Sequence, residues 1–147
     1  EAYALLLRDP AMRGEAIAMA VADSDERIVR AALNAALEGG CPREAIPMLT
    51  ERLNERSLDG MMAVLAIRVI APIRLPVVLD VLVKAVVSRK RRWFFWHKLA
   101  LKSQPMLAAL AALANTLSKD PMAMKVLALA ERDTDSAVQN ALRGRHA

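Results

Sequence analysis

The sequence predicts an all-α protein assembled as a stack of helical hairpins, and three observations lead there. The first is composition. Of the 147 residues 55% are hydrophobic but only 3% aromatic. Ala, Leu, Val and Met therefore carry the apolar load, and Ala, Leu and Met are strong helix formers. The second is a repeated grammar. Asp9-Pro10 opens an Ala-rich apolar stretch, the turn Asp23-Ser24-Asp25 follows, and Ile28, Ala32 and Leu33 begin a second stretch. Asp120-Pro121, Asp133-Thr134-Asp135, Val138, Ala141 and Leu142 repeat that order near the other end. The third is punctuation: most of the seven prolines fall where the apolar period starts or stops. No alternating run of β-branched residues bounded by turns is present, so strands are not expected. Stacked hairpins form an α-solenoid, here of about four to five antiparallel helix pairs in one domain over residues 1–147.

Taken in order, Asp9 is a natural N-cap, its carboxylate accepting from free backbone N–H groups, with Pro10 at the first helical position where no N–H is needed. That helix is expected to run to Ala22, with Met12, Ala16, Met19 and Ala20 near one face. Ser24 or Asp25 caps a second helix to Glu38, on which Ile28, Ala31, Ala32, Ala35 and Ala36 supply a small-residue stripe. Gly39-Gly40 ends it, because glycine accepts the left-handed conformation favoured at helix C-termini. Pro42 begins the next unit. Pro47 lies too far inside a helix starting there, where an interior proline costs about 3 kcal/mol. Either a kink at Pro47 or a short turn ahead of a helix to Glu55 resolves that conflict. Ser57, with Asp59 in the first turn, begins a helix through Ile70 that Pro72 stops. Pro76 opens another to Ser88, and Ser103-Gln104-Pro105 begins one ending near Leu117. The second Asp-Pro unit runs from Asp120 to Gly144.

The Asp-x-Asp-x-x-Val/Ile turn leading into an Ala-rich helix resembles the HEAT-like repeats, especially the short type of the phycobilin lyases. Asp23, Asp25 and Ile28, and Asp133, Asp135 and Val138, carry the resemblance, and Ile46-Pro47-Met48-Leu49 is similar to the start of a first helix in that family. The resemblance implies a right-handed α-solenoid whose surface serves as a docking site. It fails over residues 88–103, which read as an irregular basic aromatic insert.

That insert is the chemically distinctive stretch. Arg89-Lys90-Arg91-Arg92 is followed directly by Trp93-Phe94-Phe95-Trp96, then His97 and Lys98. Residues 81–119 contain no acidic residue at all, so the net charge of +5 is local to this window. Four consecutive aromatics on a helix point all round its axis, and on a strand they divide between two faces. Some of that surface must therefore be exposed or meet another element. Four roles fit: an aromatic plug between helix pairs, a protein-partner site anchored by Trp and Arg, a nucleic-acid surface, or a contact with anionic lipid. The candidate binding residues are Arg89, Lys90, Arg91, Arg92, Trp93, Trp96 and Lys98.

Catalytic constellations are not visible. His97, His146 and Cys41 have no metal-ligand spacing, so neither a metal nor a cofactor is expected. The paired aspartates read as helix caps, since anions are stabilised at helix N-termini. Cys41, just before Pro42, is expected to be an inert thiol, although a helix N-terminus could lower its pKa. Asp80 and Lys84 stand at i and i+4 as a surface pair. No apolar stretch reaches the roughly 20 residues that span a bilayer. A single cysteine fits a reducing, cytoplasmic setting, and a chain opening at Glu1 reads as a piece of a longer protein. The expected function is a non-catalytic protein-interaction scaffold with an acidic partner; a nucleic-acid-binding domain is the alternative. The apolar residues 3–7 are a candidate edge for self-association.

Overall fold

A computed structural model describes residues 12–88 and 98–143. The proposed cap at Asp9-Pro10, the apolar residues 3–7, residues 89–97 and His146 lie outside the described residues. Among the described residues there are eight helices: α1 (Arg13–Val21), α2 (Glu26–Gly39), α3 (Ala45–Glu55), α4 (Gly60–Ile70), α5 (Pro76–Val86), α6 (Gln104–Thr116), α7 (Pro121–Glu131) and α8 (Ser136–Leu142). They contain no strand, only an isolated antiparallel bridge between Val87 and Leu99. The all-α class holds.

The chain divides into two compact units, Glu1–Ile70 and Ala71–Ala147, and each contains two hairpins. In the first unit α1 packs on α2 and α3 on α4; in addition α1 packs on α3, and α2 on α4. First helices thus meet first helices and second helices meet second. Ile17, Val21, Leu33, Leu49, Ile67 and Ile70 are buried there, with Ala16, Ala20, Ala32, Ala36 and Ala66 among them. Alanine at these contacts lets helices approach closely, while each enclosed Leu or Ile contributes about 1.5–3 kcal/mol.

The second unit repeats the pattern: α5 packs on α6, α7 on α8, α5 on α7, and α6 on α8, with a further contact between α6 and α7. Helix α6 carries no charged residue and buries Met106, Ala109, Leu110, Ala112, Leu113 and Ala114, which suits an element packed against three neighbours. Across α5 and α7 the enclosed residues include Val78, Leu82, Val86 and Leu127.

Three turns of equal length, at 22–25, 56–59 and 132–135, join the helices of a hairpin, and each ends in aspartate. Asp25 Oδ1 accepts from the Arg27 amide at 2.9 Å, Asp59 Oδ1 from Met62 at 2.6 Å, and Asp135 Oδ1 from Ala137 at 2.8 Å. In the outer two copies the preceding aspartate closes the turn: Asp23 and Asp133 each accept from the amide two residues on, both at 2.8 Å. The paired carboxylates are caps. The middle copy corrects the expected start at Ser57, because it is Asp59 that caps a helix beginning at Gly60.

Of the two arrangements expected around Pro47, the structure has the short turn: residues 43–44 precede α3, which runs to Glu55, so Pro47 sits in its first turn, where its missing N–H costs nothing. Other boundaries are revised. The α5 helix stops at Val86, short of Ser88. Helix α1 buries Ile17 and Val21 beside Ala16 and Ala20, while Met12 and Met19 are exposed. On α2 the buried stripe is Val29, Ala32, Leu33 and Ala36; Ala31 is exposed, and Ile28 and Ala35 are half-buried. In both cases the apolar face is rotated by about one residue from the expected one. Gly40 follows α2 with φ of 85°, the conformation for which glycine is suited.

Long-range caps complete the first unit. Arg13 Nη2 donates to the Ala35 carbonyl at 2.6 Å near the end of α2. Arg52 Nη1 donates from α3 to Val21 O at 2.6 Å and Asp23 O at 3.3 Å, satisfying carbonyls that α1 leaves free at its end. In the second unit Gln139 has the same role, its Nε2 donating to Asp133 O at 2.5 Å.

Candidate binding groove

The connection between α5 and α6 is where the hairpin grammar is broken. A short turn joins the other three pairs, but here the chain runs through residues 87–103. The two ends of this insertion are held together. Ser88 N–H donates to Lys98 O, and Ala100 N–H donates to Val86 O, both at 2.7 Å. Val87 and Leu99 form the antiparallel pair between those bonds. Ser103 then starts α6, its Oγ accepting from the Met106 amide at 3.3 Å.

Residues 98–102 approach the 132–135 turn of the next hairpin. Lys102 Nζ meets Asp135 Oδ2 at 2.5 Å, joining the two connections. Between them lies a groove of about 530 Å³. Its apolar lining includes Leu99, Leu101 and Leu129, over the buried Met106 and Val138. Leu101 is 93% exposed, an unusual position for leucine. Lys98, Lys102 and Arg132 supply the cations, and Asp133 and Asp135 the carboxylates.

The side-chain bond from Lys102, followed by the Ala137 amide, holds the Asp135 carboxyl below its ordinary value of 3.8. Such a cap is fully present above that ordinary value, and is lost as the pH falls through the lower folded one. Acid should therefore loosen the 98–102 segment from the 132–135 turn. In pH-dependent unfolding, Asp135→Asn should flatten the part of the acid decline that lies below 3.8. An identical decline in both proteins would show that this carboxylate carries none of it.

Among the predicted binding residues Lys98 is described; it is exposed and lines the groove. Arg89, Lys90, Arg91, Arg92, Trp93 and Trp96 lie outside the described residues. Leu101, Lys102 and Arg132 were not singled out from sequence. The Asp80–Lys84 pair forms on α5 as expected. Cys41 corrects the suggestion of a lowered thiol pKa: burial pushes it up to about 11, and its Sγ donates to Pro42 O at 3.5 Å. Among the described residues no group of three or more His, Cys, Asp or Glu side chains could hold a metal ion. No helix among them is long and apolar enough to cross a membrane. No family model matches this chain, and no curated protein or solved structure does either.

Proposed function

We propose that this chain is a non-catalytic protein-interaction module, a HEAT-like α-solenoid that engages a protein partner beside its basic aromatic insert. The observation that carries this reading is the groove between the insert's C-terminal end and the neighbouring 132–135 turn. It combines an exposed leucine with cations, the pairing of apolar surface and charge common at protein contacts. Its carboxylates serve as caps, which leaves no evident acid–base pair for chemistry. Packing of first helices on first and second on second within each unit supports the repeat reading.

The test is capture of partner proteins from source-cell lysate on the immobilised chain, read by mass spectrometry. A variant with alanine at Arg91, Arg92, Trp93 and Trp96 should lose specific partners while keeping its circular dichroism. Equal capture by both proteins removes this surface from the reading. The absence of acidic residues over 81–119 favours nucleic acid as a second reading. Phosphate contacts would then make affinity for labelled strands fall steeply with salt, and no binding near physiological salt would end that reading.

A further inference from the structure

We infer that the groove takes an extended acidic segment of a partner protein, which adds as a strand along residues 98–101. This inference rests on the interaction-module reading and specifies its partner. The first observation is the open edge. Val86 and Ser88 use the Ala100 N–H and the Lys98 carbonyl, and in an antiparallel bridge the intervening residue turns its own N–H and C=O to the opposite side. Leu99 makes no backbone hydrogen bond among the described residues. No described residue pairs with that edge, and an added strand there would gain affinity from its main-chain bonds.

The second observation is charge. Lys102 is already paired with Asp135, and Asp133 is engaged by the Asp135 amide. Lys98 and Arg132 line the same groove as exposed cations, their side chains making no hydrogen bond or ion pair to other described residues. Carboxylates of the incoming segment complement them, and an apolar side chain covers Leu101. A peptide fits better than a nucleic acid. The Leu99 edge offers a main-chain N–H and C=O side by side, which a peptide strand matches with its own donor and acceptor and a phosphate backbone, an acceptor alone, does not.

Selection from a library of random 12-residue peptides on the intact chain should enrich sequences that combine Asp or Glu with an apolar residue. A synthetic peptide from that selection, measured by fluorescence anisotropy, should bind about tenfold more weakly to Lys98→Glu/Arg132→Glu, because attraction at two rim sites becomes repulsion. N-methylation of alternate peptide amides should abolish binding by blocking the strand pairing. Leu101→Asp, changed at an exposed position, gives a second variant with the fold intact and should also weaken binding. Enrichment of basic or uncharged peptides, no enrichment, or displacement of the peptide by single-stranded DNA of equal length would overturn the inference. If lysate capture persists while the peptide result fails, the groove assignment falls and the module reading stands. If no partner is captured and no peptide binds, the module reading falls and the groove assignment falls with it.

Discussion

Leu110→Ala should destabilise the second unit by about 2–5 kcal/mol, the range for emptying a well-packed leucine site. Leu110 is fully enclosed, on a helix that packs against α5, α7 and α8, so the surrounding helices are held on several sides and have little freedom to close the space. The matched control is Leu101→Ala, at a position 93% exposed, which should stay within about 0.5 kcal/mol. Urea unfolding followed by circular dichroism compares the two. Similar midpoints would mean that α6 is not the centre of this unit.

The second large effect is expected at Arg52. Its guanidinium donates to the Val21 and Asp23 carbonyls from the neighbouring hairpin, and to Ser57 Oγ at 3.3 Å. One half-buried side chain thus joins the end of α1 to the two hairpin turns at 22–25 and 56–59. Charge-assisted bonds of this type contribute about 1.5–3 kcal/mol, so Arg52→Ala should lower stability by that amount. Arg52→Lys should recover only part of it, because one ammonium cannot reproduce the planar fork. A loss under about 0.5 kcal/mol for Arg52→Ala, within the range of ordinary surface changes, would show that the stacking does not depend on this side chain.

These two residues mark where the sequence could and could not be read. Helix starts are legible because capping is local: Asp25, Ser103, Asp120 and Asp135 each bond an amide two or three residues on. The start expected at Ser57 lies two residues early, because Asp59 in the middle turn takes the capping position that aspartate holds in the outer two. Buried faces were harder. In α2 the pairs Ile28-Val29, Ala31-Ala32 and Ala35-Ala36 put similar side chains at adjacent positions, so the stripe can rotate by one residue without a change in apolarity. In α1, Met12 and Met19 look as core-like as Ile17 and Val21 until packing separates them.

Long-range contacts left no local signal. Arg13, Arg52 and Lys102 find partners 22, 31 and 33 residues away. Only the fold brings such groups together. The groove has the same origin: Leu101 and Arg132 look ordinary in the chain, and become one surface when the insert's end meets the 132–135 turn. The insert itself was legible, since four cations followed by four aromatics break the repeat grammar visibly.

A photo-activated cross-linking amino acid at position 101, introduced into the intact chain in its source cell, tests the central claim of partner docking most directly. The groove account predicts discrete adducts that protease removes and nuclease does not, and that Lys98→Glu/Arg132→Glu suppresses. Absence of any adduct, or one that nuclease digests, would contradict it.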